Sequence, residues 1–248
     1  MLKVSIITVC YNSAETIEDT ILSVVSQDYA SIEYIIIDGK SSDTTLSIIE
    51  KYNSKITKVL SEKDDGIYFA INKGISLASG DIIAVLHADD VYYSNHVISD
   101  VVNTFTEKNT DTVYGNLYYV DRIDTSKIKR QWISGGYTKK SFLKGWMPPH
   151  PSFFVRKKCY DKFGVFNTSL HSASDYELML RFLFKHNCSA SYLPQVLVKM
   201  RVGGKSNVSL MNRIKANRED KKAWLMNELK PSLFTFIRKP LSKLGQFF

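Results

Sequence analysis

Carboxylates follow strand-like runs at two points in the N-terminal half of the chain. Asp38 ends the strand-like run 32–37, and Asp89 and Asp90 come shortly after the strand-like run 81–86. Two neighbouring carboxylates at a strand end suit Mg²⁺ or Mn²⁺, because these hard ions take oxygen ligands and keep coordination positions for phosphate. Aspartate also caps helices and forms turns, so metal binding and a purely structural role both stay open at each position.

A glycine-rich phosphate loop is missing from the sequence. The pattern GxGxxG does not occur, and GGKS at 203–206 has Lys199 where a P-loop requires its first glycine. Dinucleotide enzymes and P-loop ATPases are therefore disfavoured. A diphosphate bound to this chain would need a cation instead, which favours metal binding at Asp89 and Asp90.

The segment 61–74 (SEKDDGIYFAINKG) brings polar residues to the start of a predicted helix. Asp65, with Asp64 before it, is placed where a carboxylate interacts favourably with the helix dipole. Lys73 follows within the helix, beside its apolar stripe. The position of Lys73 is equally consistent with a side chain that contacts a phosphate and with one that lies in solvent.

Two later segments carry further candidates. The loop 145–152 (GWMPPHPS) contains Trp146 and His150 among prolines, and such a loop can form a wall that stacks on a sugar ring; a structural histidine is the alternative. Asp175 begins a helix as the second residue of Ser174-Asp175-Tyr176-Glu177. It could be a general base, or a first-turn acid within a capping box formed by Ser174 and Glu177.

The elements that would position these residues alternate between strand and helix. Apolar, β-branched runs predict strands, and stripes at helical spacing predict helices between them. A βαβαβαβ order argues for a parallel sheet with helices on both faces, whose ligands bind at the carboxyl ends of the strands. We therefore expect Cys10-Tyr11-Asn12, Asp38 and Asp89-Asp90 at one edge. The predicted strands are 3–10, 32–37, 57–60 and 81–86, followed by shorter strands 112–114, 117–120 and 129–133, a helix 174–184, a strand 190–198 and a helix 210–229.

The chain has 248 residues, 44% of them hydrophobic, which predicts one large globular domain or a domain with an appendage. No apolar run approaches the ~20 residues of a spanning helix, and no signal peptide is expected. The three cysteines lie far apart and form no CxxC pair, so we expect neither zinc nor disulfides, and a reducing cytosol fits best.

Positive charge is concentrated at the C-terminal end. Residues 199–248 hold 12 basic and 3 acidic side chains, whereas the whole chain carries a net charge of +8. Within 231–248, leucine, isoleucine and phenylalanine recur at helical spacing between basic residues, a pattern typical of segments that lie on anionic membranes. A terminal helix packed on its own domain is the alternative. Nucleic acid is disfavoured, because no binding motif accompanies the charge.

Five blocks, in order over about residues 3–205, resemble the family 2 inverting glycosyltransferases that build bacterial surface polysaccharides. The blocks are VSIITVCYNSAETIEDTILSVVSQ, YIIIDGKSSDTT, SEKDDGIYFAINKGISLASGDIIAVLHADDVY, HPSFFVRK and SASDYELMLRF. They are most similar to enzymes of colanic-acid and O-antigen clusters. The resemblance implies an α/β GT-A fold, with a nucleotide-sugar half at 1–110 and an acceptor half at 111–205. The charge and apolar pattern of the basic segment 206–248 predict a peripheral attachment to the inner face of the cell membrane.

The resemblance also implies roles for the candidates. Asp175 would be the general base and Asp90 would hold Mn²⁺ or Mg²⁺, while Trp146 and His150 would lie on the side of a polyprenyl-diphosphate-linked oligosaccharide acceptor. The donor, a nucleotide hexose such as GDP-fucose, UDP-glucose, UDP-galactose or a UDP-N-acetylhexosamine, would contact Val9, Tyr11, Asp38, Asp65, Lys73 and Asp89.

Two departures from the family pattern leave alternatives open. His87 stands where many members have the first acid of an extended acidic motif, and Gly39 stands where others carry a second aspartate. A non-catalytic carbohydrate-binding relative is one alternative, slightly favoured by His87 but disfavoured by the presence of Asp90 and Asp175. A nucleotidyltransferase is the other, although CYNSAET lacks the basic, glycine-rich loop expected after its first strand.

Overall fold

The computed structural model describes residues 1–203, 210–231 and 235. Nine strands and eight α-helices are assigned in these residues. The strands are β1 (Val4–Cys10), β2 (Ile32–Asp38), β3 (Lys58–Ser61), β4 (Ile82–Val85), β5 (Asp90–Tyr92), β6 (Thr112–Val120), β7 (Ile128–Trp132), β8 (Phe153–Arg156) and β9 (Ala190–Arg201). The helices are α1 (Ile17–Val25), α2 (Thr45–Glu50), α3 (Ile67–Leu77), α4 (Val97–Lys108), α5 (Lys139–Leu143), α6 (Lys157–Phe163), α7 (Ser174–Met179) and α8 (Leu210–Met226).

All nine strands belong to one mixed sheet, in the order β3-β2-β1-β4-β8-β6-β9-β5, with β7 paired to β6. The first four strands of that order are parallel. The next pairs, β4 with β8 and β8 with β6, are antiparallel; β6 and β9 are parallel, and β9 and β5 are antiparallel. The predicted parallel sheet thus describes the N-terminal half, and the C-terminal half extends it with strands of both directions.

Helices cover both faces of the parallel part, as predicted. Alternate residues of β1 enter two separate cores, Ile6 on one face and Ile7 on the other. The apolar stripe of α1 completes the first core and that of α3 completes the second. A Cβ on Gly74 of α3 would collide with the Ile7 side chain, so glycine here allows close approach of helix and sheet.

Several boundaries in the C-terminal half differ from the predictions. The predicted strands 112–114 and 117–120 form the single strand β6, because Gly115 lets it continue tightly against Leu197 of β9, where a Cβ would clash. The helix predicted to 184 is regular only to Met179 and continues as one wider π-type turn, Leu180–Lys185. Among the described residues, no helix is both long and apolar enough to cross a membrane.

The helix α8 packs on the body of the domain. Ala223 and Trp224 are fully buried in the core that also contains Tyr176 of α7. The Trp224 indole nitrogen donates to the Tyr176 hydroxyl at 2.9 Å. This contact packs α8 against α7, the helix whose second residue is the candidate base Asp175.

Candidate functional site

The carboxyl ends of β1 and β2 lie side by side, with Cys10 in register with Asp38. Beyond them the chain turns, the Gly39 amide donates to the Cys10 carbonyl at 2.9 Å, and the Tyr11 ring lies against Gly39. Tyr11 is 55% exposed while Val9 is buried in the strand. Two of the three predicted polar clusters, Cys10-Tyr11-Asn12 and Asp38, therefore meet at the ends of these strands.

Asp38 is fully buried and its carboxylate organises the turn that follows β2. One oxygen accepts hydrogen bonds from the Ser41 amide at 3.0 Å and the Ser61 hydroxyl at 2.6 Å. The other accepts from the Ser41 hydroxyl and from the Cys10 thiol. Burial, followed by the nearby Asp38 charge, raises the pKa of the Cys10 thiol, which therefore stays protonated. This network holds the first and second strand ends together.

Asp90, the first residue of β5, is fully buried, and neither of its side-chain oxygens has a hydrogen-bond partner among the described residues. Burial raises the pKa of Asp90 well above its ordinary value, and the neighbouring Asp89 charge raises it further, while Arg201 opposes both. An ionised carboxylate in such a place needs a compensating cation. The buried oxygens of Asp90 therefore fit a divalent ion.

No group of three or more histidine, cysteine, aspartate or glutamate side chains suited to a metal occurs among the described residues. Mg²⁺-type sites in phosphate-handling proteins commonly use one or two carboxylates and take the remaining ligands from water and the substrate phosphates. Asp90, with Asp89 beside it, matches that kind of site. It does not match a site built from protein ligands alone.

Arg201, the last residue of β9, fixes the chain at this acidic pair. The guanidinium group is 2% exposed, donates to the Asp89 main-chain carbonyl at 3.0 Å and to the Arg122 carbonyl at 2.9 Å, and pairs with Asp19 of α1. Sequence reasoning missed Arg201. A single basic residue at a strand end carries no local signal, and its partners are distant in the chain.

Asp175 lies at the start of α7 with two side chains on its carboxylate. The His150 Nδ1 is 3.1 Å from one oxygen, and the Tyr68 hydroxyl donates to the other at 3.5 Å. The side chain of Asp175 is 19% exposed, so it is accessible. His150 was predicted on the acceptor side, and the structure places its imidazole against the candidate base. Tyr68 was not predicted, because a tyrosine in an apolar helix carries no local signal for this contact.

The capping box predicted at Ser174 and Glu177 is wrong. The residue preceding α7 is Ala173, so Ser174 is already the first helical residue, and its hydroxyl is buried without a partner. Glu177 instead forms an ion pair with Arg181 at 2.9 Å and accepts from the Asn227 amide at 2.8 Å. Asp175 is therefore not part of a capping box, although it remains an acid in the first turn of α7.

His87 connects the acidic pair with Asp175. Its ring lies edge-on to the His150 ring, with centroids 5.7 Å apart, and its buried Nδ1 has no hydrogen-bond partner among the described residues. Burial, together with the nearby His150, lowers the pKa of His87 to about 4, while Asp89 and Asp175 oppose the shift. At neutral pH His87 is an uncharged imidazole near both Asp89 and Asp175.

The other predicted site residues have contacts of their own. Lys73 forms ion pairs with Glu62 and Asp64, both at 2.5 Å, within the segment that leads into its own helix. Asp65 is exposed and comes just before Gly66, the residue that precedes α3. The Trp146 indole donates to the Ser134 carbonyl at 2.8 Å and packs among aromatic rings. These rings belong to Tyr114, Tyr137 and Phe142.

Comparison with known proteins identifies the class. The model of the family described as "Glycosyl transferase family 2" matches residues 5–168, and the chain belongs to this family. An uncharacterized glycosyltransferase of Mycobacterium tuberculosis is 30% identical over 181 residues, which cover 72% of this chain and 68% of the relative. One from Haemophilus influenzae is 29% identical over 224 residues, covering 84% and 68%.

Solved structures show the same fold. Residues 1–349 of S. aureus TarS match with a TM-score of 0.73 at 20% identity, covering 97% of this chain and 72% of that one. The mannosyltransferase PcManGT from Pyrobaculum calidifontis, in complex with GDP-Man and Mn²⁺, matches with a TM-score of 0.68 at 16% identity, covering 98% and 74%. The α/β fold with its mixed sheet is thus that of the GT-A glycosyltransferases, as the sequence resemblance implied.

Proposed function

We propose that this glycosyltransferase transfers a hexose from a nucleotide-sugar donor to an acceptor hydroxyl with inversion, and that Asp175 is the general base. The observation that carries the proposal is the accessible Asp175 carboxylate, which contacts His150 and Tyr68 and lies near His87, a residue that is also close to Asp89. A base for the acceptor hydroxyl and an acidic pair able to hold a cation are the two parts that a single displacement requires.

In this reaction the acceptor oxygen attacks the anomeric carbon as the bond to the leaving diphosphate oxygen breaks. Asp175 takes the proton of the attacking hydroxyl, since a carboxylate acts as general base when that hydroxyl binds within hydrogen-bond distance of it. His150 holds one carboxylate oxygen and leaves the other available beside Tyr68. His150 thereby limits the rotation of the base.

The donor would lie along the carboxyl ends of β1, β2 and β4. Asp90 would hold Mn²⁺ or Mg²⁺, which when bound neutralises charge on the leaving diphosphate. TarS residues 1–349 were solved with UDP-GlcNAc and PcManGT with GDP-Man, which supports a nucleotide sugar as the donor class. The further residues proposed for the donor are Val9, Tyr11, Asp38, Asp65, Lys73 and Asp89.

We further propose a lipid-linked oligosaccharide as acceptor, in the synthesis of a bacterial surface polysaccharide such as O-antigen, at the inner face of the cell membrane. The support is the sequence resemblance and the concentration of basic residues after 199. Trp146 and His150 lie in the loop that would face the acceptor. Positive charge with apolar side chains would bring the active site to an anionic membrane that holds such an acceptor.

A thermal-shift panel with UDP and GDP, with and without Mn²⁺, tests donor class and metal dependence together. It is followed by transfer assays with the matching nucleotide sugars. We expect one nucleotide to stabilise the protein only with Mn²⁺, and sugar release from its donor to require Asp175. Stabilisation by neither nucleotide, or donor turnover that produces a nucleotidyl product, would overturn the proposal.

A further inference from the structure

The helix α8 holds the segment that precedes the candidate base. One carboxylate oxygen of Glu219 accepts from the His171 amide at 3.1 Å. The other accepts from the Ser172 amide at 2.7 Å and from the Ser172 hydroxyl at 2.8 Å. Three donors from two consecutive residues thus converge on a single side chain, and they lie three and four residues before Asp175.

The same helix also contacts the residues that follow the base. Trp224 donates to the Tyr176 hydroxyl at 2.9 Å, and the Asn227 amide donates to the Glu177 carboxylate at 2.8 Å. Contacts from α8 and from Asn227, the residue just after it, thus hold the chain on both sides of Asp175.

The charge of Glu219 is stable in this position. Burial acts against it, yet hydrogen bonds from the Ser172 amide and hydroxyl and from the His171 amide keep the pKa of Glu219 below its ordinary value. Glu219 also lies near enough to Tyr68 to raise the pKa of that hydroxyl, after burial and Asp175, so Tyr68 stays a hydrogen-bond donor to the base. Glu219 thus acts on both the chain that carries Asp175 and one of its partners.

We propose that Glu219 is a positioning residue for the general base: by fixing residues 171–172 it keeps the Asp175 carboxylate against His150 and Tyr68. The inference rests on the proposed role of Asp175. It extends the catalytic apparatus to α8, which lies beyond the residues 5–168 that the family model matches. If α8 only packed against the core, Ala223 and Trp224 would be sufficient. Packing alone does not require the Glu219 carboxylate to accept hydrogen bonds from two main-chain amides.

The kinetic test uses the full chain with Glu219→Ala, Glu219→Gln and the matched control Glu228→Gln, an exposed acid just after α8. Because misplacing a catalytic group by about 1 Å costs up to about 100-fold, we expect Glu219→Ala to lower kcat about 10- to 100-fold with an unchanged KM for the donor. Glu219→Gln still offers an amide oxygen to the backbone donors and should recover most of that loss. Glu228→Gln should match the wild type.

A second readout does not depend on activity. The imidazole resonances of His150, assigned with His150→Gln, report its contact with Asp175 by NMR. We expect them to shift in Asp175→Asn and in Glu219→Ala, and to be unchanged in Glu228→Gln.

Wild-type kcat in Glu219→Ala, a loss confined to donor KM, or unshifted His150 resonances in a folded Glu219→Ala protein would each overturn the positioning role. Full transfer activity in Asp175→Asn would instead overturn the proposed base. The two failures are therefore distinguishable.

Discussion

Asp38, the last residue of β2, and Asp90, the first residue of β5, are both fully buried aspartates, but their surroundings differ. Asp38 accepts four hydrogen bonds, whereas the side-chain oxygens of Asp90 accept none from the described residues. Burying a carboxylate without partners costs free energy, and hydrogen bonds offset that cost. The protein therefore bears an unfavourable term at Asp90 that a bound cation would remove.

Replacing Asp90 by asparagine should separate stability from metal binding. Without metal, the melting temperature of Asp90→Asn should equal or exceed that of the wild type, because the neutral amide avoids the cost of burying a charge. The stabilisation by nucleoside diphosphate with Mn²⁺, about 3 kcal/mol at a hundredfold excess over Kd, should be lost. Differential scanning calorimetry with and without ligand measures both, with the exposed Asp161→Asn as control. Retained Mn²⁺-dependent stabilisation would remove Asp90 from the metal site.

Asp175→Asn should abolish transfer and leave nucleotide binding intact. The base acts on the acceptor, so its loss should lower kcat by about 10²- to 10⁴-fold and barely change the affinity for nucleoside diphosphate. Stability should change by about 1 kcal/mol or less, the usual contribution of an acid in the first turn of a helix. Steady-state kinetics and calorimetric titration provide the two measurements. Transfer within tenfold of the wild type would mean that another residue is the base.

At the scale of elements, Glu33 joins three segments of the parallel half. Its buried carboxylate accepts from the Ser5 hydroxyl, from both the amide and hydroxyl of Ser79, and from Lys3. Burial favours the neutral form, but these donors outweigh it and lower the pKa of Glu33 to about 2. Glu33 thus ties β1 and β2 to the turn that leads into β4.

This pKa shift predicts part of the acid sensitivity of the fold. A carboxylate whose pKa is lower in the folded state stabilises the protein above its unfolded pKa of about 4.5, and that contribution disappears as the pH falls toward 2. Glu33→Gln should therefore lower stability by about 2–3 kcal/mol at pH 7 and flatten its decline between pH 4.5 and 2. Urea unfolding across this pH range measures the effect. The exposed Glu50→Gln should keep the wild-type slope, and an equal slope in both variants would contradict the assignment.

The parallel half and its strand-end residues were predictable from sequence because their signals are local. Strands buried on both faces are continuously apolar, and the helices between them keep a stripe at helical spacing. The continuation of two predicted strands as the single strand β6 was not predictable, because it depends on the close packing of Gly115 against the Leu197 side chain in the neighbouring strand. Such pairings arise from contacts far apart in the chain.

The candidate site was predictable only as separate pieces. The strand-end rule places Asp38 and Asp89-Asp90 at one edge, since carboxyl ends of parallel strands meet there. The contact between His150 and Asp175 could not be inferred from the sequence, because one residue lies in a loop and the other in a separate helix. No pattern of residue spacing connects the two segments. Tyr68 and Arg201 act through partners more than a hundred positions away.

At the scale of the molecule, the basic C-terminal region divides into a described and an undescribed part. The helix α8 packs on the domain, and Thr235 is buried with its hydroxyl donating to the Leu143 carbonyl at 2.8 Å. The remaining residues of the predicted amphipathic segment 231–248 lie outside the described residues, apart from Pro231. The membrane hypothesis is therefore best tested downstream of Thr235.

Deleting 236–248 should release the protein from anionic liposomes at moderate salt. Each basic residue near such a surface contributes about 1 kcal/mol, and the apolar side chains add burial, so losing both should lower partitioning strongly. Transfer to long-chain lipid acceptors should slow more than transfer to short soluble ones. Co-sedimentation with phosphatidylglycerol vesicles is compared with neutral vesicles as control. Equal binding of the full and shortened chains would mean that this segment is no membrane anchor.

The pairing of β5 with β9 has a consequence for how the chain folds. Asp90 is in register with Met200, and Arg201 bonds to the Asp89 carbonyl 112 positions away. Closing a loop of this length lowers the chain entropy before any stabilising contact has formed, so such pairings form slowly. On the ribosome, β1, β2 and β4 can associate while the acidic pair still lacks its neighbouring strand. The surroundings of the proposed metal ligand Asp90 should therefore form after the parallel sheet, among the last events of folding.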